Sequence, residues 1–293
     1  FSFDVSSKLV KMIVSDAHSH INPVKGLGPR KVGEKFKQKG GWFIVLVSLP
    51  PYYFDFTEAS LESYEKSFKL MIEACEVYKS LGLKCALHLG FHPAEVDHYH
   101  RNGLSYGEIL DLGYKVIDLV AKLVEEGKAH GFGEVGRQHY PTEKKAIEVA
   151  ESIMRYSIEK ARDLNVPVHL HLEQGCTKTV EEIRQIIKTV NAKPEKIVFH
   201  HWDPTCLKPV VEKGYWATVT AKKELLKQAL KTTKHFLTES DYLDDPKRPG
   251  AVIVPWSIPK TWRKLLSKGV CNEKDVQQIS VDNIRKIYGY ILN

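Results

Sequence analysis

Ile13-Val14-Ser15-Asp16-Ala17-His18-Ser19-His20 closes a short apolar run on two histidines one residue apart. Side chains alternate faces along a β-strand, so His18 and His20 point the same way and can bite one metal ion together. Alone, an H-x-H is equally well read as two packed or exposed histidines. Other apolar runs, however, end the same way. Val166-Pro167-Val168-His169-Leu170-His171 is a second H-x-H, and Lys196-Ile197-Val198-Phe199-His200-His201 is a third cluster. His130-Gly131-Phe132-Gly133-Glu134 supplies a carboxylate, and His235-Phe236-Leu237-Thr238-Glu239-Ser240-Asp241 supplies more. Repeated coincidence of this kind points to one shared metal site.

Working outward, apolar runs alternate with amphipathic stretches. Strands are expected near 11–17, 41–49, 83–90, 128–135, 166–172, 195–200, 214–220 and 235–241. Helical periodicity falls near 57–81, 105–126, 142–165, 177–191, 204–213, 222–233 and 273–289, with a short basic helix near 31–39. Eight β/α pairs whose strands read as continuous apolar runs are the pattern of a closed, parallel (β/α)8 TIM barrel. An open doubly wound sheet is disfavoured because no G-x-G-x-x-G follows the first strand. In a barrel the C-terminal strand ends converge, and His18, His20, Glu134, His171, His200 and Asp241 all fall there.

The chain has 293 residues, 43% of them hydrophobic, enough for one large domain. We place that domain at 12–293 and read residues 1–11 as an N-terminal extension, with Met12 as an available initiator. The 43 basic and 36 acidic residues give a net +7, compatible with an anionic substrate and not in itself a mark of nucleic acid. Cys75, Cys85, Cys176, Cys206 and Cys271 lack C-x-x-C pairing, which predicts free thiols in a reducing cytoplasm. The longest apolar run, Trp42 to Leu49, is too short to span a bilayer. A soluble, cytoplasmic protein with no membrane association and no obligatory protein partner is expected.

The motifs then taken together resemble the TatD-type metal-dependent hydrolases of the amidohydrolase superfamily, in a divergent branch. Asp16-Ala17-His18-Ser19-His20 is similar to the family's D-x-H-x-H, Gly90-Phe91-His92-Pro93 to its G-x-H-P, and Gly133-Glu134-Val135-Gly136 to its G-E-x-G. Pro167 to His171 resembles P-x-x-x-H, and Glu239-Ser240-Asp241-Tyr242-Leu243 resembles E-T-D-x-P-x-L. The closing Ser280 to Tyr288 segment continues the order, which runs from about Met12 to the C-terminus. Departures lie beside the motifs: Asn22 replaces a usual aspartate, and after Gly136 the cation Arg137 and the amide Gln138 replace the leucine and aspartate of the G-L-D-Y continuation, followed by His139 and Tyr140. His201 and Trp202 also replace smaller or other aromatic residues.

The resemblance implies two divalent metals. His18, His20 and Asp241 would hold the first, Glu134 would bridge, and His171 and His200 would hold the second. Mixed imidazole and carboxylate donors suit Zn²⁺, with Mn²⁺, Co²⁺, Fe²⁺ or Mg²⁺ as alternatives. Water between two cations about 3.5–4 Å apart becomes hydroxide-like and attacks phosphorus or a carbonyl carbon, with Asp241 as the proton acceptor and later donor. Hydrolysis of phosphoester bonds, nuclease-like on DNA or RNA, is the leading activity. A same-fold hydrolase of an amide, lactone or cyclic amidine is the first rival, and a non-catalytic metal-binding protein the second.

Further residues are weighed beside this set. His169 shares a face with His171, but spacing from Pro167 favours His171 as the ligand and leaves His169 as a hydrogen-bonding support. His200 and His201 face opposite ways in a strand; spacing favours His200 as the ligand by a smaller margin, with His201 either the alternative ligand or a support. His92 is read as a substrate-pocket residue. Arg137, three residues past Glu134, either clamps a substrate phosphate or carboxylate or makes an ion pair on the rim. Glu239 lies one strand period inside the barrel and is read as support. Tyr52, Tyr53, Phe54 and Phe56, after the second strand, offer either a stacking surface or an ordinary packed loop.

Overall fold

The computed structural model describes residues 12–248 and 252–292, so the expected extension 1–11 lies outside the described residues. Eight parallel strands follow chain order around the sheet: β1 (Val14–Ser19), β2 (Gly41–Val47), β3 (Lys84–Leu89), β4 (Gly131–Gly136), β5 (Val168–His171), β6 (Ile197–Phe199), β7 (Trp216–Thr220) and β8 (Leu237–Glu239). A parallel bridge between Ser19 and Tyr242 brings the last strand's end back to the first. This nearly closed barrel is the (β/α)8 fold expected. Each strand is buried on both faces, which is why it reads as an apolar run rather than an alternating one.

The outer layer consists of α1 (Gly28–Lys39), α2 (Leu61–Ser80), α3 (Pro93–Arg101), α4 (Tyr106–Glu125), α5 (Lys144–Leu164), α6 (Thr177–Thr189), α7 (Leu207–Glu212), α8 (Lys223–Thr232), α9 (Ile258–Ser267), α10 (Glu273–Gln277) and α11 (Asn283–Tyr288). Helices α3 and α9 go beyond one helix per strand. The first begins on a capping box, in which His92 accepts from Ala94 N–H while the Glu95 carboxylate accepts from His92 N–H. The barrel interior is filled by Ala17, Phe43, Val45, Val47, Ala86, Val198 and Leu237 from the strands. Ile284, Ile287 and Tyr288 of α11 join that interior cluster.

The cysteines correct the expectation of free thiols. Cys75 pairs with Cys85 and Cys176 with Cys206, and Cys271 alone is free, buried in the core. Separations of 10 and 30 residues conceal the proximity, which arises because α2 packs on β3 and because α6 and α7 start on neighbouring loops. No helix among the described residues is long and apolar enough to cross a membrane.

Candidate metal centre

All six sequence-designated ligand positions stand at or just past C-terminal strand ends, and local contacts explain how they converge. Asp16 of β1 accepts from Ser240 N–H at 2.8 Å and from its hydroxyl at 2.5 Å, while Asp241 N–H donates to His18 O at 3.0 Å. These bonds carry Asp241 to the β1 histidines. Between β4 and β5 the backbones touch: at Gly136, with φ 158°, a Cβ would sit 1.8 Å from the His171 carbonyl oxygen. Only glycine allows that approach, which brings Glu134 beside His171.

The buried Glu134 carboxylate is the hub. Its Oε1 lies 3.3 Å from His20 Nε2 and 3.7 Å from His18 Nε2, and its Oε2 lies 2.7 Å from His171 Nδ1 and 3.6 Å from His200 Nε2. Asp241 Oδ1 completes the group at 3.6 Å from His20 Nε2 and 3.8 Å from His200 Nε2. One carboxylate oxygen thus faces the β1 pair and the other faces the β5 and β6 histidines.

Hydrogen bonds on the far side of each ring fix its orientation. His20 Nδ1 sits 3.0 Å from Val47 O, and His200 Nδ1 sits 2.9 Å from Glu239 Oε2; both partners only accept, so each Nδ1 carries the proton. Nε2 of each is then the nitrogen presented to the site, the usual arrangement behind a metal-binding imidazole. His18 is decisive. Its Nε2 is fully buried, has no hydrogen-bond partner among the described residues and faces the carboxylate. Burial, then neighbouring His200, lowers the His18 imidazole to about 4, so the ring is neutral and its orphaned nitrogen fits a cation. Burial alone would raise the Glu134 carboxyl, but His200, His92 and His171 outweigh it and hold it well below the usual range. Asp241 is held low against its burial by hydrogen bonds from His20 and His201.

A family model described as TatD related DNase matches residues 15–289. The chain belongs to this family. An uncharacterized protein of Methanocaldococcus jannaschii, MJ1127, is 31% identical over 284 residues, covering 96% of this chain and 97% of the relative. A solved phosphotriesterase homology protein from Escherichia coli, complexed with phosphate in its active site, superposes with a TM-score of 0.65 at 10% identity, over 94% of this chain and 99% of that one. Organophosphorus hydrolase from Deinococcus radiodurans superposes with a TM-score of 0.60 at 14% identity, over 95% and 93% of the two chains. At those identities the likeness shows the barrel fold. Membership in the TatD-related family, with the clustered His, Glu and Asp donors, makes this chain a metal-dependent hydrolase whose site suits divalent cations.

Around this TatD-type centre, Ala94 N–H donates to His92 Nδ1 at 3.1 Å, so the neutral ring carries its proton on Nε2. That N–H faces the site 3.8 Å from Glu134 Oε2. His201 turns back on a left-handed backbone, φ 50°, and sets Nδ1 3.1 Å from Asp241 Oδ2 and 3.2 Å from Glu239 Oε1. Strand alternation placed it facing away; the strand has already ended at Phe199. His169 is buried beneath the site with Nδ1 3.0 Å from His18 Nδ1.

Arg137 requires a correction. Its guanidinium does not reach the cavity: it makes two bonds to Glu173, at 2.5 and 3.2 Å, and further bonds to Glu182 at 2.8 Å and Glu151 at 3.2 Å. The ion-pair reading holds and the substrate-clamp reading fails, because four of the five guanidinium N–H groups are held by carboxylates and the side chain does not line the cavity. Lys222 is exposed ahead of α8 and does not line the cavity. The cavity, about 250 Å³, is walled by Tyr52, Tyr53 and Leu243, whereas Phe54 is buried in the core. Arg248 is its one Lys or Arg among the described residues.

Two neighbours escaped the sequence reading. His139 Nδ1 lies 2.7 Å from His171 Nε2, behind the nitrogen that meets Glu134. Its position five residues past Glu134, in the loop of a motif strand, was the available signal. Asp244, buried, accepts from Asn22, Leu27 and Gly28 N–H at 3.1, 2.7 and 3.1 Å and pins the loop after β8 to that after β1.

Proposed function

We propose that this chain hydrolyses phosphoester bonds with two divalent cations, zinc foremost, held by His18, His20, Glu134, His171, His200 and Asp241. The observation that carries the reading is the Glu134 carboxylate, with two histidines at one oxygen and two at the other. Cations bound there would acidify a water and polarise the scissile group.

The chain's own residues supply the rest. Asp241 accepts the proton of the attacking water and returns it to the leaving oxygen, with His201 holding its second oxygen at 3.1 Å. The His92 Nε2–H faces the cavity and donates to a phosphoryl oxygen. Tyr52 and Tyr53 offer aromatic faces to a base, and Arg248 meets one further anionic group. A nucleotide or the end of a DNA or RNA strand suits a cavity of about 250 Å³ with one Lys or Arg on its wall. The same single cation and the apolar Leu49 and Leu243 favour, as a second reading, a lactone or amide in a small molecule. Metal-loaded protein assayed against single-stranded DNA and RNA, nucleotide phosphodiesters, lactones and amides separates the two. Cleavage of phosphodiesters abolished by Glu134→Gln supports the proposal; turnover confined to carbon centres overturns it.

A further inference from the structure

Beneath the Glu134 hub three polar side chains form a hydrogen-bonded line down through the barrel. His18 Nδ1 lies 3.0 Å from His169 Nδ1, and His169 Nε2 lies 2.8 Å from the Tyr288 hydroxyl. All three residues are wholly buried. They come from β1, β5 and α11, so strand pairing alone does not bring them together. Tyr288 enters the interior with its ring 5.1 Å from Phe43 and 5.7 Å from His88. His88 packs edge-on against His169 at 4.5 Å and spends its own Nδ1 on Phe132 O at 3.2 Å. Polar atoms this deep in a core cost stability unless each is paired, and an all-apolar filling would serve packing alone.

Hydrogen-bond logic restricts the chain to two arrangements of neutral rings. Between two facing Nδ1 atoms one nitrogen donates and the other accepts. If His169 donates from Nδ1, its Nε2 accepts the Tyr288 hydroxyl proton, and the single proton of His18 sits on Nε2, pointing into the site. If His18 donates from Nδ1, His169 accepts there and donates from Nε2 to the Tyr288 oxygen, and His18 Nε2 is bare. Both carry three protons and differ only in where those sit. Only the second leaves a lone pair on the nitrogen that is orphaned beside Glu134.

We propose that His169 and Tyr288 are positioning residues that set the tautomer of His18, so that filling of the metal site selects the arrangement in which hydrogen bonds run from His18 to His169 to Tyr288. The inference rests on the reading of His18 as a metal ligand. It makes the C-terminal helix part of the metal site's support, through the Tyr288 hydroxyl alone.

The test is a competitive titration of apo-protein with Zn²⁺ and Co²⁺, joined to ¹⁵N NMR of the histidine rings with and without Zn²⁺. Loss of a hydrogen bond behind a ligating imidazole weakens metal binding about 10–100-fold, the effect expected of His169→Leu. His169→Asn, whose amide oxygen can take the place of Nδ1 as acceptor, should restore affinity to within about threefold of wild type. Tyr288→Phe keeps the ring and its packing, and should weaken binding by about tenfold; it carries the test if His169→Leu fails to fold. On adding Zn²⁺, the NMR proton of His169 should move to Nε2 and that of His18 to Nδ1. Unchanged affinity in both His169→Leu and Tyr288→Phe, or a His169 proton that stays on Nδ1 in the zinc form, overturns the inference. His18→Ala separates the levels: if that variant binds metal as wild type does, the ligand reading fails, whereas if it alone loses metal, only the role of His169 and Tyr288 fails.

Discussion

Arg137→Ala is expected to cost stability and leave substrate binding alone. The side chain is 10% exposed and its three partners are 35–42% exposed. Four charged hydrogen bonds at about 1.5–3 kcal/mol each would sum to about 6–12 kcal/mol if fully shielded. The partners are partly hydrated, so each bond contributes nearer to 0.5–1 kcal/mol, and the loss is about 2–4 kcal/mol. At roughly 2–4 °C per kcal/mol for a domain of this size, Tm should fall by about 4–16 °C. Arg137→Lys keeps the charge but not the paired grip on Glu173, and should recover less than half of that. Thermal unfolding followed by circular dichroism, at low salt and at 1 M salt, reads the effect, and high salt should narrow the gap. Cleavage assayed over the same salts should keep the wild-type slope. A Tm within about 2 °C of wild type, together with weaker and less salt-dependent substrate binding, would refute this reasoning and return Arg137 to the substrate.

Asp241→Asn should lower kcat by about 10²–10⁴-fold at saturating metal with KM little changed, because an amide cannot take the proton; near-normal turnover in the metal-replete variant removes Asp241 from the chemistry. Burial pushes the Glu95 carboxyl up to about 8 from 4.5, against hydrogen bonds from Tyr64, His92 and Tyr99. Between those two values the unfolded chain has lost the proton that the folded chain keeps, so this group's contribution falls as pH rises. Glu95→Gln should therefore gain Tm relative to wild type more at pH 8 than at pH 5, and a pH-independent difference argues against it. The Cys176–Cys206 bridge spans 30 residues, and by loop entropy its removal in a Cys176→Ser, Cys206→Ser double variant should cost about 3–4 kcal/mol. Denaturant titration of the oxidised protein checks this, and equal stability contradicts it.

The barrel was legible because its strands are buried on both faces and its ligand types recur at strand ends. His18 and His20, Glu134, His171, His200 and Asp241 come together around one carboxylate as their motif positions implied. What stayed hidden depends on distant partners. Nothing near Arg137 in sequence names Glu151, Glu173 or Glu182, which lie 14, 36 and 45 residues away on other elements. Tyr288 joins His169 across 119 residues. The cysteine pairs were hidden by the same distance, with helix packing deciding them. Helix α3 left a local trace in His92-Pro93-Ala94-Glu95, a capping box with proline at the first turn, and α9 one in Pro259, Trp262 and Leu265. Both were obscured because they belong to loops that the one-helix-per-strand pattern does not require.

Metal content after loading and desalting tests the central claim most directly. Elemental analysis of wild type should find close to two divalent ions per chain. His18→Ala and His20→Ala should each lose one, His171→Ala and His200→Ala should weaken the other, and Glu134→Ala should deplete both, because one carboxylate faces both groups of histidines. Wild-type protein that retains no metal, or histidine variants that retain as much as wild type, would contradict the account and leave the cluster as packing.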